Sequence, residues 1–356
     1  MAHHGMQVPQ DGFHRRLALS VRASALAFVA VALAATATLG QAAAPDFYRG
    51  KTVTLLAGQP PGGGIDSEMR LVARFLGKFI PGEPAILPMN MQGAGGIILG
   101  NYLYSLARSD GLTLGMPGRS GFALAPVISA ADTKYDLRKF TWIGSSASSN
   151  FVLWMRRAAN VTRFDDLRTS KRTIIIAGSG STTANSIMPE VLARHEKLPL
   201  RVVRGYPGIN DAVLAVERGE ADGVLCQKAS LRADLIAPGA IVPVFQVLPI
   251  EPGLPLLDTL VANPREKALL ELLSAPQRLG LPLIAPPGLP GDLTATLREA
   301  YLNMVASPDY LTEAIKRGLD IGQPNTGEEL ASFVATKLTS FPAETIEEYR
   351  SYVQHP

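Results

Sequence analysis

Few residues in this sequence have the chemistry for catalysis. Three of its five histidines, His3, His4 and His14, lie near the start, and His355 is the penultimate residue. His195, in the stretch LARHEK, sits toward the polar end of a helical segment and is expected to be a solvated surface histidine. A Ser-His-Asp or Cys-His arrangement therefore has almost no material, and neither has a histidine zinc site. The single cysteine, Cys226, lies in the apolar run ADGVLCQ and reads as a small buried hydrophobe. Asp66 and Asp222 are the candidates for a carboxylate pair, but nothing in their spacing makes them meet. The sequence thus supplies no catalytic residue, no metal site and no cofactor site.

Glycine-rich loops are the feature left to explain. PPGGGID (60–66), MNMQGAGG (89–96) and AGSGSTT (177–183) each close an apolar run and open a helical one. Backbone N–H groups at such helix starts suit a carboxylate or a phosphate, and glycine lets a ligand approach them directly. A P-loop fails because no lysine follows the glycines where the motif needs it. A dinucleotide fingerprint fails because the chain reads Gly-Ala-Gly-Gly-Ile-Ile from Gly93, without the third glycine. The loops look built to hold a ligand. Asp66 either contacts it or caps its own helix. Ser181, Thr182 and Thr183 exceed what capping needs and are read as ligand donors. Arg119 in PGRSG is a candidate counter-charge, Tyr206 in RGYPG a wall, and Arg204 a weaker choice.

Positioning those loops requires alternating strands and helices. TVTLLA (52–57) has the length and continuous apolarity of a strand covered on both faces. The stripe Met69, Val72, Ala73, Leu76 and Ile80 then reads as a helix. Strands are expected at 84–89 and 112–116, with a helix over 95–107 between them. A second series follows residues 140–155: strands at 173–177, 200–203, 222–226 and 240–247, and helices near 184–195 and 210–218, the latter stopped by Gly219. Residues 249–264 are proline-rich and expected to be irregular. A strand is expected within 279–288, and the tail returns to helices, with Asp292, Ser307 and the TGEE box (326–329) as cap signals. Strand-helix-strand alternation implies two α/β lobes with mostly parallel sheets. The expected division is 45–147 plus 278–356 against 148–277, hinged by crossings near 145 and 278.

The chain has 356 residues, 47% hydrophobic and 18% charged, which fits a globular protein with room for two cores. Its net charge of +3 comes mostly from Arg15, Arg16 and Arg22 near the start. The nearly neutral remainder carries no nucleic-acid footprint. Those arginines precede an uncharged stretch from Ala23 to Pro45, rich in alanine, with small-residue cleavage sites at 42 and 44. A cleaved signal peptide (1–42) and export to a bacterial periplasm are expected, in preference to a retained anchor.

In these loops the sequence resembles the Bug family, the periplasmic receptor proteins of tripartite tricarboxylate transporters. PPGGGIDSEMR matches that family's P-P-G-G-x-x-D-x-x-A-R loop, and MNMQGAGG its E-N-x-x-G-A-G-G. DGLTL (110–114), YPG (206–208) with GEAD (219–222), and APPGLP (285–290) follow in the family's order. Met89, Leu112 and Met69 depart from the pattern, which bears on ligand identity more than on fold. The resemblance implies a two-lobed periplasmic-binding-protein (type II) α/β fold that closes on a small acid. It also implies carboxylates held by backbone amides and ordered water. Carried to this chain, that assigns Pro61, Gly62, Gly63, Gly64 and Asp66, then Gln92, Gly93, Ala94, Gly95 and Gly96, to the first lobe. Ser179, Gly180, Ser181, Thr182 and Thr183 fall to the second. The expected role is a solute-binding protein, monomeric and not an enzyme, that delivers a small organic acid to a membrane permease. The competing readings are an exported carboxylate-dependent enzyme and a ligand-presenting accessory of a membrane sensor.

Overall fold

The computed structural model describes Met1 and residues 47–354, apart from 63, 129–130, 180–182, 207 and 320–321. The expected signal peptide therefore lies outside the described residues, as do Gly63, Gly180, Ser181 and Thr182. Among the described residues no helix is long and apolar enough to cross a membrane.

The chain opens with β1 (Thr52–Ala57), α1 (Gly64–Phe75), β2 (Ala85–Asn90), α2 (Ile97–Ser105), β3 (Thr113–Met116), α3 (Ser120–Leu124) and β4 (Thr141–Ser145). It continues with β5 (Val152–Arg156), α4 (Phe164–Thr169), β6 (Ile174–Gly178), α5 (Ala184–His195), β7 (Leu200–Arg204) and α6 (Ile209–Arg218). Next come β8 (Gly223–Cys226), α7 (Ala233–Ile236), β9 (Ile241–Gln246), α8 (Leu257–Leu260) and α9 (Pro264–Leu279). The last part is β10 (Pro282–Ala285), α10 (Gly291–Val305), α11 (Pro308–Lys316), β11 (Asn325–Thr326), α12 (Gly327–Phe333) and α13 (Ala343–Gln354).

Two sheets result. The first has strand order β11-β4-β10-β3-β1-β2 and the second β7-β6-β8-β5-β9. The expected pair of helix-flanked α/β lobes holds, with mixed rather than mostly parallel sheets. β1 pairs parallel with β2 and β3, and β6 with β7 and β8, as their helical crossovers require. The strands next to the crossings run the other way: β10 is antiparallel to β3 and β4, and β5 to β8 and β9. β1 shows why an uninterrupted apolar run was needed. Val53, Leu55 and Ala57 join one core, while Leu56 on the opposite face joins another.

The two crossings lie side by side. Between β4 and β5, Ser149 N–H donates to the Gln277 carbonyl at 3.0 Å, and Leu281 N–H donates to Ser145 Oγ at 3.1 Å. Gly280 turns the chain at φ 62°, and a Cβ there would lie 1.8 Å from the Ala147 carbonyl oxygen, so only glycine fits.

The longest helix, α9, was not read from the sequence. Its start carries the same signal as α11, a side-chain cap ahead of proline: the Asn263 side chain accepts from Arg265 N–H, as Ser307 does from Tyr310. Leu269, Leu272 and Leu273 put α9 into a cluster that also holds Phe122 and Trp142 of the first sheet's share and Ile176 and Phe245 of the second's. Each buried leucine contributes about 1.5–3 kcal/mol, so α9 binds the two halves strongly. The TGEE box forms as expected between Thr326 and Glu329. Asp292 does not cap α10; Pro290 holds that position and Asp292 falls in the first turn.

Candidate functional site

Loops at the C-terminal ends of strands from both sheets face one cleft, the usual place for a ligand in open α/β sheets. The first is fastened by its own acid. Asp66 accepts from Gly62 N–H at 2.9 Å, Arg70 Nε at 3.0 Å and Asn90 Nδ2 at 2.9 Å, and Asn90 also reaches the Gln59 carbonyl. Burial pushes the Asp66 carboxyl up, but those hydrogen bonds outweigh it and hold the group below the usual carboxylate range. Of the two readings left open for Asp66, the structure adds a third: it ties the first loop to the end of β2.

The second loop's glycines serve packing as much as access. Gly96 has φ 99°, and a Cβ there would come within 1.9 Å of the Pro117 carbonyl oxygen. The loop is thus pressed against the chain that follows β3. Gly64 differs, since a Cβ there would meet nothing within 4 Å.

A cavity of about 580 Å³ opens between the sheets. Ala94 and Gly95 of the second loop line it, as do Arg119 and Gly121 after β3 and Ser179 and Thr183 of the third loop. A neighbouring cavity of about 550 Å³ takes Pro60 and Gly64 of the first loop, together with Gln59 and the buried Glu68. Arg119 and Gln227 line both and stand between them. The Arg119 guanidinium donates to Ser149 Oγ in the first crossing. With the Gln227 amide oxygen turned toward it, it also donates from Nη1 at 2.8 Å and Nη2 at 3.2 Å. One cation therefore touches the first sheet's loop, the hinge segment and the end of β8.

Several assigned residues do not reach either cavity. Pro61, Gly62, Asp66, Gln92, Gly93, Gly96 and Tyr206 line neither, while Ile209 and Asn210 take the place expected for Tyr206. Arg204 is spent on Glu190. The main omissions were Gln227, Phe151, Asn185 and Tyr349. Gln227 carried a signal, a polar residue directly after an apolar strand. Tyr349 carried none, because it enters from the distant helix α13. On the second lobe's side, Asn185 is buried and organises its neighbours: its Nδ2 donates to Ser179 Oγ at 2.9 Å, and Thr183 Oγ1 donates to its Oδ1.

Asp222, Cys226 and His195 line neither cavity. Asp222 lies at the start of β8, the end away from Gln227, where Arg172 holds it from two nitrogens at 2.8 Å. Asp66 and Asp222 form no pair. Cys226 is fully buried and its thiol is pushed up to about 12 by desolvation. His195 corrects the expectation of a solvated histidine: its Nε2 lies 2.8 Å from Glu348 Oε1, because α13 packs over the end of α5.

No family model matches the chain. Among curated proteins it is 25% identical over 303 residues to a UPF0065 protein in the tcbD-tcbE intergenic region of Pseudomonas sp. strain P51, covering 81% of this chain and 83% of that one. Among solved structures, a TctC solute binding protein from Polaromonas aligns over 87% of this chain and 100% of its own, with TM-score 0.67 and 14% identity. The chain has the periplasmic-binding-protein fold. The periplasmic binding protein BugD aligns with TM-score 0.55 and 16% identity, over 86% of this chain and 98% of its own. MatC from Rhodopseudomonas palustris, with bound malate, gives TM-score 0.53 and 20% identity over 85% and 99%. The neighbours of this fold thus include a TctC solute binding protein and the periplasmic binding protein BugD, which bears the name of the family that the loop motifs resemble.

Proposed function

We propose that this chain is an exported solute-binding protein of the Bug kind. It takes a small organic acid between its two lobes and hands it to a membrane permease, working as a monomer without chemical turnover. The reading rests on one observation above others: Arg119 joins a first-sheet loop to the hinge residue Ser149 and to Gln227 at the end of a second-sheet strand. An acid exchanging hydrogen bonds with that guanidinium acts on both lobes at once, which is how a ligand shifts a hinged protein toward one arrangement. The fold likeness, the malate in one neighbour and the sequence likeness to a curated relative support it. So does the basic, alanine-rich leader, which suits removal on export.

The test combines thermal unfolding with small-angle scattering in the presence of organic acids. At a hundred times its dissociation constant a true ligand adds about 2.7 kcal/mol of stability and should shrink the radius of gyration. Arg119→Ala should weaken it about tenfold or more, as expected for losing a charged hydrogen-bond donor. Consumption of the acid would replace this reading with an enzyme.

A further inference from the structure

The larger cavity pairs a single cation with hydrocarbon. Among its described lining residues, Arg119 is the only charged one. Ile97, Leu124, Ile128, Phe151, Ile209 and Tyr349 supply apolar surface from both lobes and from α13. Ile97, Ile128, Phe151 and Ile209 are only half-buried and offer their apolar faces to the cavity. Ser120, Ser179, Thr183, Asn185, Gln227 and Gln277 add polar side chains to the described lining, and Asn185 bonds to both Ser179 and Thr183. Beyond Arg119 the neighbouring cavity holds the carboxyl of Glu68, 2% exposed, which accepts from Tyr310 Oη at 2.5 Å. Arg119 is the one cation among the described lining of that cavity too, so a second acid group would find Glu68 there and no further counter-charge.

A second carboxylate or a hydroxyl set against Ile97, Ile128, Phe151 and Ile209 would lose water without gaining a hydrogen bond from those side chains, a cost of about 1–3 kcal/mol for each group left unpaired. A hydrocarbon body gains instead from leaving water. The volume, about 580 Å³, lies in the range of ordinary small-molecule sites.

We infer that the ligand is a monocarboxylate with an aromatic or branched hydrocarbon body, its single carboxylate held at Arg119 and its body against Phe151, Ile128 and Tyr349. The inference rests on the binding-protein reading above and narrows it. It also sets this chain apart from its malate-bound neighbour, although that protein shares the fold.

Calorimetric titration of the full chain with benzoate, phenylacetate, benzamide, malate, succinate and citrate decides it. Benzoate or phenylacetate should bind at least about tenfold more tightly than malate, and Phe151→Ala or Ile128→Ala should each weaken the aromatic acid about three- to tenfold. The two variants sit on separate segments, so a folding defect in one leaves the other informative, and the wild-type ranking needs neither. Tighter binding of malate, succinate or citrate would overturn the inference and leave the binding-protein reading standing. Benzamide binding as well as benzoate would also overturn it, since the carboxylate would then not be the anchor. If no acid bound, both readings would fall together.

Discussion

A glycine in a ligand loop is easily taken for a contact to the ligand. Gly96 shows the other use, because its φ of 99° and its approach to Pro117 would obstruct a side chain even with the cleft empty. Gly96→Ala should therefore destabilise the protein by at least about 1–2 kcal/mol from backbone strain alone, read as a lower urea midpoint. Gly64→Ala, facing open space, should leave that midpoint within about 0.5 kcal/mol of the wild type while changing the wall of the smaller cavity. Equal loss in both variants would mean that the loop's packing is not what requires glycine. Asp66 carries the same lesson, since an acid in a ligand loop turns out to hold the loop itself.

Helix α13 is fastened to elements of both lobes. Glu348 pairs with His195 of α5 and with Arg265 of α9, while Arg350 donates to the Ile128 carbonyl beyond α3. Beside these pairs lies Glu266 of α9, fully buried and set against Glu196. Burial first, and then the charge of Glu196, push its carboxyl up to about 7, with Arg168 opposing. The native state therefore keeps a proton that the unfolded chain releases near pH 4.5. The stability tied to that proton is fully present below the unfolded value and is lost as pH rises through about 7. Thermal unfolding between pH 5 and 8 should show this decline, and Glu266→Gln should flatten it. An unchanged slope in the variant would assign the pH dependence to other groups.

At the scale of the molecule, two sheets share one buried cluster through α9. The expected consequence is cooperative unfolding in spite of the two-lobed outline. The two tryptophans make this measurable, because Trp142 lies on β4 in the first sheet and Trp154 on β5 in the second. Single-tryptophan variants made by Trp→Phe replacement should unfold at coincident denaturant midpoints by fluorescence. Separate midpoints would show that α9 does not couple the lobes.

Most of the alternation of strands and helices, the caps at Ser307 and Thr326 and the three loops were legible in the sequence, because each depends on neighbours in the chain. TVTLLA has the apolar, β-branched character of a buried strand and forms one, and Thr326 to Glu329 closes its own box. The direction of β10 and the pairing of His195 with Glu348 were not legible, since packing between distant segments decides them. The same holds for the site. The sequence singled out the glycine loops and Arg119 as candidates, but only the tertiary structure brought Phe151, Gln227 and Tyr349 to the cavity that Arg119 lines, across separations of up to 230 residues from Arg119. Local hydrogen bonding determined the elements. Burial of surfaces far apart in the chain decided which side chains meet, and so the character of the cavity they enclose.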